Sequence, residues 1–187
     1  MLDRVKQALF DALGVHFGTL GGLPPLHVLD AYCGGGTLGI ESLSRGAADV
    51  LFIDAGSDAI DCLKANLAAL KLQRVSRILH EPAEDASFVP TDGPFDLIFA
   101  DPPFPMNAAV SDAGSPLRRF FNHIVAERRL TPEGICIWRF ERDRPPPATL
   151  DSWTTLRERH YGRSTLRWMR LPAVPGDGKA RQAPQQP

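Results

Sequence analysis

An acid, two prolines and an aromatic ring stand in a row at Asp101-Pro102-Pro103-Phe104, directly after the apolar run Leu97-Ile98-Phe99-Ala100. Proline fixes its own φ, lacks an N–H donor and restricts the residue before it. The tetrapeptide is therefore expected to form a stiff, extended platform with carbonyl groups left over at the mouth of a buried strand. An amine conjugated to a ring is a poor nucleophile because its lone pair is delocalised; a carboxylate and a carbonyl that accept its two hydrogens favour the pyramidal, reactive form. Phe104 would stack on that ring with roughly 1–3 kcal/mol and little regard for base identity, which leaves selectivity to the hydrogen bonds. This is equipment for the exocyclic amine of a nucleobase. Taken alone, the same four residues also suit an ordinary turn.

A second signal lies upstream. His27 to Cys33 reads as a strand, and Gly34-Gly35-Gly36-Thr37-Leu38-Gly39 then opens a helix running to about Arg45. Glycines spaced Gly-x-Gly-x-x-Gly allow a tight turn and let a nucleotide-type cofactor approach the backbone at a helix N-terminus. Asp30 falls at the end of this strand, and Asp54 ends the next one, Val50 to Ile53, where an acid can accept both ribose hydroxyls. Loop and acids alone suit NAD as well as S-adenosylmethionine. Followed in order by an Asp-Pro-Pro-aromatic at the end of a fourth strand, they form the pattern of amino methyltransferases, whereas a dehydrogenase has no evident use for that tetrapeptide.

The stretches Asp3-Arg4-Val5-Lys6, Val28 to Ala47, Asp101 to Phe104 and Glu158-Arg159-His160-Tyr161-Gly162 together resemble the bacterial small-subunit (16S) rRNA guanine-N2 methyltransferase family, the RsmD type. The likeness runs from the start of the chain to about Arg170. It implies a Rossmann-like fold, S-adenosylmethionine as donor with S-adenosylhomocysteine as product, and the N2 amine of a guanine in small-subunit rRNA, free or in an assembling 30S particle, as acceptor. It further implies Asp101, Pro102, Pro103 and Phe104 as catalytic residues and Asp30, Tyr32, Gly34, Gly36, Gly39, Asp54, Ala83 and Glu84 around the cofactor. Arg4, Phe104 and Arg163 are implied on the substrate. The chain departs from the family pattern in three places. Only Met1 and Leu2 precede Asp3, where members usually carry a basic segment with Arg-Pro-Thr; Pro82 stands where an acid near the adenine is usual, with Glu84, Asp85 or backbone groups alone as substitutes; and Phe104 replaces the commoner tyrosine, keeping the stacking face without the hydroxyl.

With 187 residues and 43% hydrophobic content, the chain suits one methyltransferase domain over residues 1–172 and a disordered tail over 173–187, rich in Pro, Gln and Gly. No apolar run approaches the roughly 20 residues that span a bilayer, and the first residues do not resemble a signal peptide. Cys33, Cys62 and Cys136 are odd in number and without CxxC spacing, so neither disulfides nor zinc are indicated, and no metal is expected. A cytoplasmic monomer is the expectation. Net charge is −1, but residues 1–100 hold 7 basic and 13 acidic side chains and residues 101–187 hold 14 and 9. Eight arginines between Arg139 and Arg170 crowd one region, and guanidinium groups suit RNA phosphates. Two other classes share parts of this pattern, a nucleotide-dependent oxidoreductase and a non-catalytic RNA-binding protein. Among methyltransferases, an adenine N6, another RNA guanine or a protein glutamine fits the same tetrapeptide chemistry.

The elements that must position these residues follow from periodicity. A first helix, capped by Asp3, is expected to about Leu13, and a second from a Ser57 cap with Ile60, Leu63, Leu67 and Leu70 as its core stripe. Ser76 to His80 and Leu97 to Ala100 read as third and fourth strands. Ser115-Pro116 starts a helix to about Leu130, a turn over Thr131 to Gly134 follows, and Ile135 to Phe140 is the fifth strand. Alternating strands and helices predict an α/β, doubly wound, mostly parallel sheet with ligands at the carboxyl ends of its strands. Thr154 to Tyr161 and Thr165 to Leu171, around Gly162, predict a closing antiparallel hairpin.

Overall fold

Strands covered on both faces must be apolar on both sides, and the runs at Val28-Leu29, Leu51-Phe52-Ile53 and Leu97 to Ala100 meet that requirement, all of them buried. A computed structural model describes residues 3–147 and 150–172. The elements are α1 (Asp3–His16), β1 (His27–Ala31), α2 (Thr37–Ser44), β2 (Asp49–Asp54), α3 (Ser57–Ala69), β3 (Ser76–His80), β4 (Phe95–Ala100), α4 (Phe104–Ala108), α5 (Pro116–Ala126), β5 (Leu130–Glu141), β6 (Thr154–Tyr161) and β7 (Ser164–Arg170). They build one seven-stranded sheet in the order β3-β2-β1-β4-β5-β7-β6. The first five strands are parallel, while β7 runs antiparallel between β5 and β6. This is the Rossmann-like methyltransferase arrangement with its C-terminal antiparallel hairpin. The chain reverses direction across the sheet between β1 and β4, the switch point where such sheets bind ligands.

Two apolar layers sandwich the sheet. On one face Leu9, Phe10 and Leu13 of α1, Leu38 of α2 and Ile60, Leu63 and Leu67 of α3 pack on Val28, Val50, Phe52, Leu97 and Phe99. On the other, Leu117, Phe120, Phe121 and Ile124 of α5 cover Leu29, Ile53, Ile98 and Trp138. Those four α5 side chains are fully buried, each contributing roughly 1.5–3 kcal/mol. Among the described residues no helix is long and apolar enough to cross a membrane.

Several local expectations are corrected. The first strand stops at Ala31 because Tyr32 turns the chain at φ 58°. Gly56, not Ser57, holds the cap position of α3, and Leu70 is its exposed C-cap rather than core. Helix α1 continues to His16. Helix α5 ends at Ala126, because Arg128 at φ 52° reverses the chain and Arg129 N–H closes on Ile124 O. The expected turn at Thr131 to Gly134 lies inside β5 as an irregularity: Leu130 pairs with Phe95 and Ile135 with Leu97. Phe104 is not extended, since Pro103 caps the short helix α4 and Pro105 lies in its first turn. The Ser115 cap and Pro116 start of α5 are as expected. The Asp3 cap and the 173–187 tail lie outside the residues whose side chains or backbone are described.

Gly36 shows how tightly the glycine turn is built. It sits at φ 82°, and a Cβ there would stand 2.4 Å from Leu63 Cδ1 and 3.2 Å from the Phe52 ring. Left-handed backbone costs a non-glycine residue roughly 1–2 kcal/mol, and overpacking costs roughly 1–3 kcal/mol more. Gly36→Ala should therefore lower unfolding stability by at least about 2 kcal/mol in urea titration; an unshifted midpoint would contradict this packing.

Candidate active site

The carboxyl ends of β1, β2 and β4 meet around the glycine turn. After Tyr32, the Cys33 N–H donates to Ile53 O at 3.0 Å, which carries the turn toward β2. The Gly34 N–H then donates to Asp54 Oδ2 at 2.7 Å, and Asp54 Oδ1 accepts from Gly56 N–H at 2.8 Å. Asn66 of α3 donates to Gly35 O at 2.9 Å. The turn is thus fixed from both sides before α2 begins. Asp54 remains half-buried, and each of its oxygens has a second lone pair beyond the amide it already holds.

Asp30 faces inward instead. It is 1% exposed, and its Oδ2 accepts from the Gly39 N–H at 2.8 Å, pinning the first turn of α2 to β1. Burial pushes its pKa well above the ordinary value; the Gly39 bond opposes this, while the negative fields of Asp101 and Asp54 add to it. Structurally Asp30 shapes the loop, and Gly39 leaves it no room for change: a Cβ on Gly39 would lie 2.3 Å from the Phe52 ring.

A short 3-10 turn after β3 carries Ala83, which is buried, and Glu84, whose side chain is 11% exposed. Arg119 of α5 stands 3.9 Å from Glu84 and 3.0 Å from Asp85. The Tyr32 ring meets Phe120 edge-on at 5.7 Å, and its hydroxyl is buried without a hydrogen-bond partner. Burial first, and the nearby Glu84 carboxylate second, raise the Tyr32 pKa. Tyr32, Ala83 and Glu84 therefore gather on the α5 side of the turn.

Asp101 closes the site from β4. Its N–H donates to Ala31 O at 3.3 Å, tying it beside the end of β1. Its carboxylate accepts from Arg139 Nε. Burial raises the Asp101 pKa, and the charge and hydrogen bond of Arg139 oppose that rise. The same guanidinium lies over the Phe104 ring, 4.7 Å from its centroid. Helix α4, which carries Phe104, is fixed to β5 by the Trp138 Nε1 donation to Asn107 Oδ1 at 2.7 Å. Arg139 is thus a site residue that motif reading missed. The available signal was positional, an arginine near the end of the strand expected to lie beside the fourth.

Arg4 and Arg163, far apart in the chain, line one cavity of about 630 Å³ together with Val5, Arg139, Tyr161, Gly162 and Ser164. The expected crowd of arginines is sorted by the pleat. Arg139 and Arg159 both pair with Leu166, and Arg157 pairs with Trp168, so these three share the α1 face. Arg167 projects oppositely and is 3% exposed, bonded to Glu158 Oε1 at 2.6 Å and Pro147 O at 2.7 Å and stacked on Trp138 and Phe140. It is core structure, not an anion contact. Arg157 is likewise committed, lying 3.8 Å over Trp168.

A carboxyl whose folded pKa exceeds its unfolded one leaves stability intact below the unfolded pKa and erodes it as pH climbs toward the folded value, by about 1.4 kcal/mol per pH unit. Asp30 is such a group. Asp30→Asn keeps an acceptor for Gly39 and does not titrate. Its stability relative to the parent chain should therefore rise between pH 4.5 and pH 8 in paired urea titrations; a pH-independent difference would contradict the raised Asp30 pKa.

The model of the family described as Conserved hypothetical protein 95 matches residues 1–170. Ribosomal RNA small subunit methyltransferase D of Haemophilus influenzae is 31% identical over 86% of this chain and 76% of its own length. Its namesake from Escherichia coli K12 is 28% identical over 88% and 75%. The solved structure of yhhF from Escherichia coli superposes with a TM-score of 0.73 at 28% identity, over 92% of this chain and 88% of that one. The chain is a member of the Conserved hypothetical protein 95 family, the RsmD type of methyltransferases.

Proposed function

We propose that this chain transfers a methyl group from S-adenosylmethionine to the N2 amine of a guanine in small-subunit rRNA, as a cytoplasmic monomer acting on free RNA or an assembling 30S particle. The carrying observation is that Asp101, at the head of the proline pair, is bonded through its N–H to Ala31 at the root of the glycine turn. Donor and acceptor platforms share one sheet end. The relatives named as small-subunit rRNA methyltransferases favour rRNA as the acceptor, and the cavity between Arg4 and Arg163 offers guanidinium groups to its phosphates.

The residues present fit a cationic nucleoside donor. Asp54 and Asp101 both act electrostatically on Asp30, and Glu84 stands close to Tyr32, so the ligand side of the turn is acidic. A sulfonium is favoured there. The Asp-Pro-Pro-Phe platform beside the turn weighs against an oxidoreductase, which has no evident use for it. Once bound, S-adenosylmethionine supplies an electrophilic methyl group and leaves as S-adenosylhomocysteine. Asp54 holds the ribose hydroxyls on its spare lone pairs, and Ala83 and Glu84 flank the adenine end. Asp101 and the Pro102 carbonyl accept the hydrogens of N2, Phe104 stacks on the guanine, and Asp101 or water takes the proton released after transfer. Pro103 fixes the backbone between acceptor and ring by capping α4.

The test pairs two variants with labelled S-adenosylmethionine and undermethylated small-subunit particles. Asp101→Ala should bind the donor normally in calorimetry and lose methylation by at least about 100-fold; full activity refutes its role. Asp54→Ala should weaken donor binding about tenfold or more, and unchanged affinity removes its ribose contact. Thermal stabilisation by NAD(H) rather than S-adenosylmethionine would support the oxidoreductase, and donor binding without methylation of any RNA the silent RNA-binding protein.

A further inference from the structure

We propose that Arg139 is the positioning residue of the amine-accepting platform, a single guanidinium that orients the Asp101 carboxylate and the Phe104 ring together. This rests on the methyl-transfer reading above and adds a residue to it. Arg139 follows Trp138, the residue paired with Ala100 at the end of β4, so the sheet register brings its side chain beside Asp101. Its Nε donates to Asp101 Oδ1, its Nη1 donates to Ser164 Oγ at 3.4 Å at the start of β7, and its plane lies over Phe104. Its side chain is only 21% exposed and that of Asp101 16%.

The geometry has a chemical consequence. With Oδ1 held by Nε, Asp101 Oδ2 is left to accept a hydrogen of the substrate amine, and no rotation of the carboxylate is needed. With the guanidinium against one face, the Phe104 ring presents its other face to a base. A lysine in this place would retain the charge without the planar fork. Among the described residues the charged groups acting on Asp101 are Arg139 from β5 and Asp30 from β1, and Asp54 of β2 acts on Asp30 in turn; Arg4 and Arg163 line one cavity with Arg139. Burial works against the charge of Asp101 and Arg139 works for it. The carboxylate accepts an N–H more strongly than the protonated acid does, and only the carboxylate can take the released proton, so Arg139 also extends the pH range in which the platform is competent.

The experiment compares the full-length parent chain with Arg139→Gln and Arg139→Lys, using labelled S-adenosylmethionine, undermethylated small-subunit particles and a pH series from 5.5 to 9. Arg139→Gln should bind donor like the parent, lose about tenfold or more in kcat at pH 7 and recover only in part toward high pH, where the loss from misorientation persists. Its acid limb should move up by about one pH unit, since one unit changes the ionised fraction about tenfold. Arg139→Lys should keep the acid limb of the parent and lose kcat at every pH. A carboxyl carbon-13 titration of Asp101 should give a higher midpoint in Arg139→Gln than in the parent. The inference is overturned by an Arg139→Gln variant with parental or faster turnover, by a loss confined to KM with an unmoved acid limb, or by an unchanged Asp101 midpoint. If the parent methylates no RNA, the methyl-transfer reading fails by itself, and the Asp101 titration still decides whether Arg139 governs that carboxylate.

Discussion

The pairing of β1 with β4 is the constraint on which the site depends. Ala31 lies opposite Ala100 in a parallel register, so the two chains leave the sheet side by side and in the same direction. One exit becomes the glycine turn and the other becomes Asp101-Pro102-Pro103. The N–H of Asp101 still reaches Ala31 O, which makes the proline platform an extension of the ladder rather than a free loop. A slip of one residue in either strand would turn Asp30 or Asp101 to the wrong face. The apolar layers of α1 to α3 and of α5 resist that slip, because each strand face has its own buried partners.

Charge is handled differently at the three strand ends. Asp30 is buried and held by one amide, so its carboxyl is driven toward the neutral form. Asp54 stays partly open with two amides bound, one on each oxygen. Asp101 is largely buried with the Arg139 guanidinium beside it, burial raising its pKa and the cation opposing that rise. Neighbouring acids are thereby set apart by environment alone: Asp30 is buried against one backbone amide, Asp54 is half-buried between two, and Asp101 is paired with a guanidinium.

The closing hairpin contributes more than an edge to the sheet. Its pleat sends Arg167 and Glu158 to the α5 side, where they neutralise each other against Trp138 and Phe140. Arg157 and Arg159 go to the α1 side, and the turn at Gly162 places Arg163 opposite Arg4. Basic side chains that are contiguous in sequence are therefore split between structure and surface. Of the described hairpin arginines, Arg163 at the turn lines the cavity beside the platform, together with Arg139 of β5 and Arg4 of α1.

Local signals were enough for much of this. The glycine spacing, the acids closing successive strands and the alternation of strand and helix act within a few residues and stand where those patterns put them, and the tetrapeptide follows its apolar strand, although Phe104 is helical rather than extended. The Ser115-Pro116 start of α5 belongs with them. What lay beyond reach was decided by contacts between distant segments. Arg139 meets Asp101 across 38 positions of sequence, Arg167 is buried by rings from β5, and Phe104 enters a helix that Trp138 anchors through Asn107. No local pattern encodes such partnerships. A side chain's role depends on strand register and on which face of the pleat it occupies, and the folded sheet sets both only when all its layers pack at once.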